Sequence, residues 1–333
     1  MTLFSLLLIV TVINITYASW GDIDPMFQSC LRSCNDEKCM KSAIESFKNP
    51  ASSYKPPLLQ IVPLSCSELC NYGCINEMSE NRRHNGYPQI KYYGHWAFVR
   101  YFGLEEPASV VFSILNAFPH ISFFITQILK SKTTNTGMEN KETCYMQYWL
   151  MLYSAIATIC WFSSAIYHSK KTKNTTQLDL ITALLFIITG LFLVIRRIYG
   201  KNANYYSIIM ISSILYIFWG IHAYYMLQNQ ISFDNHMKTS IFLVILTTTL
   251  WFLWLLYIQY NNKTHINSRV KYLCFICQIW LILASALEIF DFPPLYGIFD
   301  AHSLWHLFTI PLGYVWYIFW NIDKIYRLNK KNE

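Results

Sequence analysis

Residues 164–168 read Ser164-Ala165-Ile166-Tyr167-His168, and a short polar loop then leads to Asp179. This stretch lies at the end of one apolar run and at the start of the next, which predicts two helices joined by a tight connection. Ser164 and His168 are four residues apart, so they share one helical face about 6 Å apart along the axis. We therefore expect a serine, an imidazole and a carboxylate close together where these two helices meet.

A second polar stretch stands near the other end of the chain, at the start of its last apolar run. It reads Asp300-Ala301-His302-Ser303-Leu304-Trp305-His306. His302 and His306 are again four residues apart and therefore lie on one helical face. With His168 they make three imidazoles at the ends of apolar helices, which is the pattern expected of one metal site.

The composition indicates an integral membrane protein of the all-α class. Of the 333 residues, 54% are hydrophobic and only 14% are charged, whereas soluble domains carry about a quarter. The net charge of +7 is spread over loops, which we interpret as topology rather than as nucleic-acid binding. Hydropathy predicts seven transmembrane helices, at 108–129, 145–167, 178–197, 205–227, 239–259, 271–290 and 301–321.

The distribution of basic residues predicts the orientation in the membrane. With the N-terminus in the lumen, the cytosolic segments contain thirteen lysines and arginines, whereas the lumenal loops contain four. This agrees with the positive-inside rule, so the C-terminal tail is expected in the cytosol. The same topology puts all five polar groups, Ser164, His168, Asp179, His302 and His306, on the lumenal side at similar depth.

Two segments are predicted to precede the transmembrane domain of residues 96–333. Residues 1–19 contain a short apolar core followed by small residues, which is typical of a signal peptide; an uncleaved anchor helix is the alternative. Residues 20–95 are predicted to form a small lumenal domain. It contains six of the ten cysteines, Cys30, Cys34, Cys39, Cys66, Cys70 and Cys74.

These six cysteines predict disulfides, because an even number in a short secreted stretch is typical of a disulfide framework. Their two blocks have helical spacing and indicate two short helices held face to face. Fifteen pairings are possible, and an antiparallel hairpin favours the nested set Cys30–Cys74, Cys34–Cys70 and Cys39–Cys66. Zinc binding by these cysteines is the alternative. The other four cysteines are expected to be buried free thiols.

Three neutral imidazoles leave the fourth tetrahedral position of Zn²⁺ open, as in catalytic zinc sites. A metal of this kind acidifies water and polarises a carbonyl group. Asp179 is then the expected general base, and Ser164 orients an imidazole or binds the developing oxyanion. A serine nucleophile with His168 as its base is the competing mechanism, but it leaves His302 and His306 without a role.

The motif Ser-x-x-x-His, an aspartate after ten residues and a distant His-x-x-x-His resemble the CREST superfamily of seven-span metal hydrolases. That superfamily includes the alkaline ceramidases and the progestin and adipoQ receptors. More closely, the whole chain resembles the post-GPI-attachment-to-proteins factor 3 family. The resemblance rests on three segments of this sequence, Tyr93–Arg100, Trp161–His168 and Asp291–Pro311.

This resemblance implies removal of an acyl chain, at the sn-2 position, from the lipid of GPI-anchored proteins, a phospholipase A2-like step. It implies His168, His302 and His306 as zinc ligands, with Asp179 and Ser164 supporting catalysis. The chain departs from the family where Gly-Lys-Trp-Pro-Phe is replaced by Gly94-His95-Trp96-Ala97-Phe98. It departs again where Arg-Asp is replaced by Lys170-Lys171, which puts substrate contacts of these loops in question.

Other classes of protein share parts of this pattern. A seven-span metal-binding receptor has the same topology, and a ceramidase or another lipid amidase or esterase has the same chemistry. Lys330 and Lys331, four and three residues from the end of the sequence, resemble a dilysine retrieval signal read by a cytosolic coat. We therefore expect a multi-pass protein of the endoplasmic reticulum or Golgi membrane.

Overall fold

The computed structural model describes residues 20–40, 62–133, 141–199, 204–261 and 266–329. The predicted signal peptide and the lysines of the predicted retrieval signal lie outside the described residues. The chain divides into two compact units. The first contains the described residues within Met1–Val110, His168–Lys170 and Leu287–Leu304, and the second contains the described remainder.

Apart from a π-helical turn at Asn35–Met40, the described residues form two short helices followed by seven long ones. A single 3-10 turn, Trp20–Ile23, precedes them. The helices are α1 (Pro25–Cys34), α2 (Cys66–His84), α3 (Pro107–Thr133), α4 (Lys141–Ser169), α5 (Lys173–Tyr199), α6 (Tyr205–Leu227), α7 (Phe233–Tyr260), α8 (Ser268–Phe290) and α9 (Ala301–Asn329). Each of the seven predicted spans coincides with one long helix, so the predicted all-α class is confirmed.

Six of these helices, α3 to α8, are long and apolar enough to cross a membrane. Helix α9 is long enough, but two histidines, Pro311 and several tryptophans and tyrosines lower its hydropathy. The two histidines that make α9 part of a candidate site thus also weaken its signal as a membrane span. The seventh span stays a prediction.

The first unit contains the predicted disulfide-stapled helix pair. Cys30–Cys74, Cys34–Cys70 and Cys39–Cys66 are bonded, so the nested pairing is confirmed. Because all six sulfurs are oxidised in pairs, they offer no thiolate for the alternative zinc site. Three of the other four cysteines, Cys160, Cys274 and Cys277, are free and buried as predicted. The side chain of Cys144 lies outside the described residues.

Local signals fix both short helices. Asp24 accepts a hydrogen bond from the backbone N–H of Met26 at 2.9 Å and caps α1. A capping box of Ser65 and Glu68 begins α2. Burial alone would raise the pKa of Glu68, but hydrogen bonds from the Ser65 backbone and from Lys170 lower it overall. The Lys170 ammonium lies 2.9 Å from the Glu68 carboxylate and so ties the end of α4 to the start of α2.

The second unit is built around α5, which packs against α6 and α7. The side chains of Leu184, Ile188 and Leu193 are fully buried. Near the other end of α5, Arg197 forms a two-pronged ion pair with the buried Asp323 of α9. Large apolar side chains on several other helix faces are exposed, as expected for helices that face lipid.

Candidate metal centre

His168 is fixed in place by the chain that precedes α3. The backbone N–H of Glu106 donates to the His168 carbonyl oxygen at 3.1 Å, and that of Glu105 donates to the Ser169 carbonyl oxygen at 3.1 Å. These bonds satisfy carbonyl groups that the end of α4 would otherwise leave without partners. The main chain therefore holds His168 at a defined position.

Two imidazoles in the first unit each contact a glutamate through their Nδ1 atom. The Nδ1 atom of His168 lies 2.5 Å from the Glu106 carboxylate, and the Nδ1 atom of His302 lies 2.6 Å from the Glu288 carboxylate. Glu106 and His168 are almost fully buried. A carboxylate in this position fixes the tautomer, because it accepts a hydrogen bond from the Nδ1–H group and leaves Nε2 with a lone pair.

The two Nε2 atoms of His168 and His302 face each other at 3.2 Å. If both Nδ1 atoms donate to their glutamates, both Nε2 atoms present lone pairs, and the pair needs a cation to be stable. A proton shared between the rings or a metal ion meets this need. Two imidazoles oriented by carboxylates form the usual arrangement of a protein zinc ligand set.

His306 follows His302 by one turn of the continuous helix α9, so the helix places both imidazoles on the same face. Its backbone is also fixed, because the Asn116 amide donates to the His306 carbonyl oxygen at 2.7 Å. The indole of Trp161 lies edge-on to its ring, with the centroids 5.5 Å apart. His306 is the third histidine of the predicted ligand set, and its role as a ligand stays a prediction.

Asp300 begins helix α9 directly before the histidines. Its carboxylate accepts a hydrogen bond from the Ser303 backbone N–H at 2.8 Å, as expected of an N-cap. Burial raises the pKa of Asp300, although the neighbouring His302 lowers it. The cap thus marks the start of α9 directly before the two histidines.

The structure places the two other predicted site residues in the second unit. Ser164 lies one turn before His168 on α4, is buried, and has its hydroxyl 3.4 Å from that of Ser113. Asp179 is half-buried near the start of α5. The structure thus brings His168 and His302 together, and the roles of Ser164 and Asp179 stay predictions.

Sequence reasoning missed Glu106 and Glu288, the two carboxylates that orient the imidazoles. Glu288 carried a usable signal, because an acidic residue within an apolar span is costly unless it is paired. Glu106 lies just before Pro107, where an acidic residue is ordinary, so nothing in the local sequence distinguishes it.

Apolar helices of spanning length, a disulfide-stapled domain and imidazoles backed by carboxylates define a multi-pass membrane protein with a candidate metal centre. The chain belongs to the Per1-like family, whose family model matches residues 56–324. This confirms the resemblance seen in the sequence motifs. No solved structure matches the fold.

Relatives of similar length support this membership. The chain is 26% identical to the Post-GPI attachment to proteins factor 3 of Drosophila melanogaster, over 93% of this chain and 91% of that protein. It is 25% identical to the GPI-specific phospholipase A2-like PGAP3 of Xenopus tropicalis, over 96% and 95%. It is 28% identical to the PER1 homolog of Schizosaccharomyces pombe, over 96% and 91%.

Proposed function

We propose that this protein is a zinc-dependent hydrolase that removes an acyl chain, at the sn-2 position, from the phosphatidylinositol of GPI-anchored proteins. The names of its relatives supply the substrate class, since they refer to GPI attachment and to a GPI-specific phospholipase A2-like activity. The apolar helices supply the setting, because a substrate lipid is held in the same membrane. The predicted topology puts the reaction on the lumenal side of the endoplasmic reticulum or Golgi membrane.

The observation that carries this proposal is the pair of imidazoles, each with a glutamate at Nδ1, whose Nε2 atoms face each other at 3.2 Å. Nitrogen donors of this kind suit Zn²⁺, and three histidines leave a coordination position open. His168, His302 and His306 would hold the ion. When bound, it would supply Lewis acidity, which acidifies water and polarises the ester carbonyl.

The remaining roles fall to groups of the chain itself. Glu106 and Glu288 keep the proton of each imidazole on Nδ1, so that both Nε2 atoms stay available as ligands. Asp179 takes the proton from the attacking water, and Ser164 stabilises the negative charge that develops on the ester oxygen. A serine nucleophile is disfavoured, because Glu106 and His302 engage both ring nitrogens of His168.

The first test removes a ligand. We expect His302→Ala and His306→Ala to lose both bound zinc and the release of fatty acid from GPI-anchored proteins, with expression largely kept. Metal analysis of purified protein and lipid mass spectrometry measure the two effects. His222→Ala is the control, because this buried histidine contacts His236 instead of a glutamate. A triple variant of His168, His302 and His306 that still holds one zinc ion would refute the site. Zinc without any lipid product would favour the receptor alternative.

The second test separates acid–base chemistry from metal binding. We expect Asp179→Asn to keep the metal and to lower turnover by roughly 10²–10⁴-fold, the usual contribution of a general base. Zinc content and kcat are measured on the same preparation. Loss of the metal would instead make Asp179 a ligand, and unchanged turnover would remove it from the mechanism.

A further inference from the structure

Three tight turns in the first unit share one unusual design, a large aromatic residue followed by glycine. In each, an N–H three residues on donates back to a carbonyl: His95 to Tyr92, Leu104 to Tyr101, and Ile298 to Leu295. The two central residues have positive φ in every case. They are Tyr93 and Gly94 (52° and 77°), Phe102 and Gly103 (55° and 83°), and Tyr296 and Gly297 (56° and 72°).

Positive φ at both central positions is the signature of a type I′ turn, which strongly favours Asn-Gly or Asp-Gly. Phe102 and Tyr296 therefore occupy positions where their bulk is strained and where asparagine would fit better. Strain that a fold retains is a reason to look for a function. Something other than backbone geometry accounts for an aromatic ring at these positions.

Both rings project outward. The side chain of Phe102 is 54% exposed and that of Tyr296 is 92% exposed. Apolar neighbours surround them on the same two loops, because Val99, Tyr101 and Leu295 are also exposed. We call Phe102, Tyr296 and these three residues the aromatic ledge.

The ledge is one connected structure. The backbone N–H of Val99 donates to the Gly297 carbonyl oxygen at 2.8 Å and joins the two loops. A Cβ atom on Gly297 would meet the Val99 side chain at 2.7 Å, so the contact is close. Further along, the Asp291 carboxylate accepts from the Trp96 indole at 3.0 Å and pairs with Lys91 at 2.5 Å.

Chain connectivity places the ledge at the ends of apolar helices. Phe102 lies five residues before α3, and Tyr296 lies between the end of α8 at Phe290 and the start of α9 at Ala301. Helices α3 and α8 are candidate membrane spans, so loops this short remain near the membrane surface. The same loops lead into the metal centre, since Glu106 and His302 follow the two turns by a few residues.

We propose that the aromatic ledge is a lipid-binding surface, in which Phe102 and Tyr296 insert into the interfacial layer of the lumenal leaflet beside the metal centre. Aromatic side chains favour this layer, where a ring is partly apolar and partly wet. Insertion accounts for the exposure, the strained conformation and the position at span ends together. The proposed role for substrate lipid rests on the proposed hydrolase function; the contact with the bilayer does not.

Tyr93 provides an internal comparison. It occupies the same type of turn and is 49% exposed, but its ring contacts Phe27 of the disulfide-stapled domain, with the centroids 5.9 Å apart. It also lies fourteen residues before α3 instead of five. We therefore assign Tyr93 to that domain and not to the ledge.

Fluorescence quenching tests the contact without any need for activity. A fluorescent amino acid replaces Phe102 or Tyr296 in the full chain, reconstituted in lipid nanodiscs. Position 242, which is exposed on a span, is the lipid reference, and position 80, exposed on α2, is the aqueous reference. We expect probes at 102 and 296 to be quenched by nitroxide-labelled lipid as at 242 and protected from iodide. If iodide quenches the probes at 102 and 296 as strongly as the probe at position 80, the proposal is overturned. It is also overturned if a soluble GPI glycan then protects these probes from iodide.

Activity measurements then test the link to the substrate. Phe102→Asn and Tyr296→Asn create the preferred Asn-Gly turns, so both variants should fold at least as well as the parent. For the double variant we expect KM for a bilayer substrate to rise at least roughly tenfold, because the apolar surface that Phe102 and Tyr296 bury in the lipid is lost. Bound zinc and turnover of detergent-dispersed substrate should stay unchanged. Tyr93→Asn, the matched control, should leave KM unchanged.

An unchanged KM in the double variant would refute a role in substrate capture. A parent protein without hydrolase activity would refute the proposed function instead. The quenching result would still decide whether the ledge contacts lipid.

Discussion

The glutamates behind His168 and His302 determine what the imidazoles can do. A carboxylate at Nδ1 holds each ring in one tautomer and one orientation. Without it, each ring could turn over or move its proton to Nε2, and the two nitrogens at 3.2 Å would simply share that proton. The glutamates therefore favour a cation, either a metal ion or a proton, between the two Nε2 atoms.

At this scale we predict that Glu106→Gln lowers zinc affinity by roughly 10–100-fold, the usual effect of losing such a partner. An amide can still accept a hydrogen bond, but it lacks the charge that raises the basicity of the imidazole. Competition with a graded series of chelators measures the affinity.

The matched control is Glu105→Gln. Glu105 is the neighbour of Glu106 in sequence, but its carboxylate pairs with Arg100 at 3.0 Å and not with a histidine. Equal zinc affinity in the parent and in Glu106→Gln would show that the glutamate does not support a ligand.

Secondary-structure elements were the most predictable part of this protein. Long apolar runs predicted all seven long helices, because the lipid-exposed backbone must satisfy its own hydrogen bonds. Cysteine spacing predicted the disulfides, because two antiparallel helices favour pairing between sulfurs that lie opposite each other at similar height. The contacts of Glu106 and Glu288 were not predictable, because they depend on which helix ends meet in three dimensions.

Between elements, the ion pairs of Asp323 join α5 to α9. Its carboxylate is fully buried and accepts from Arg197 at 2.7 Å and from Arg327 at 3.0 Å, and the Arg197 guanidinium stacks over Trp254. We predict that Asp323→Asn destabilises the protein by about 3 kcal/mol, because it leaves buried cations without their counter-ion. A lower melting temperature in detergent micelles is the measurement.

Glu80→Gln is the comparison for this effect. Glu80 pairs with Arg83 at 2.7 Å, but both side chains are 68% exposed. The loss should therefore stay below about 0.5 kcal/mol, as for other surface pairs. Equal melting temperatures for Asp323→Asn and the parent would show that the buried pair contributes nothing net.

At the scale of the whole molecule, the sequence predicted the order of segments better than the geometry of their connections. The aromatic turns were invisible to sequence reasoning, because tyrosine or phenylalanine before glycine does not normally indicate a type I′ turn. The histidine spacings were visible, since helical periodicity alone places His302 and His306 on one face. Residues that share a face of one helix could thus be predicted, whereas the conformations of the turns could not.

The orientation of the whole chain in the membrane gives the last prediction. If residues 20–95 are lumenal, an acceptor site placed there is glycosylated. Asn85 and Gly86 lie in an exposed turn after α2, so Tyr87→Thr creates an Asn-Gly-Thr acceptor there. We expect this variant to gain one glycan, seen as a mass shift that a glycosidase reverses. Tyr87→Val is the control. Valine has the β-branched shape of threonine but lacks its hydroxyl group, so this variant should gain no glycan.

The natural sequence Asn262-Lys263-Thr264 completes this test, because basic residues predict that it is cytosolic. It should carry no glycan, so Asn262→Gln should leave the mass after glycosidase treatment unchanged. A glycan at Asn262, with none on the Tyr87→Thr variant, would invert the topology. His302 and His306 would then open to the cytosol, where the lipid of a GPI-anchored protein is absent, and the proposed function would fail with the orientation.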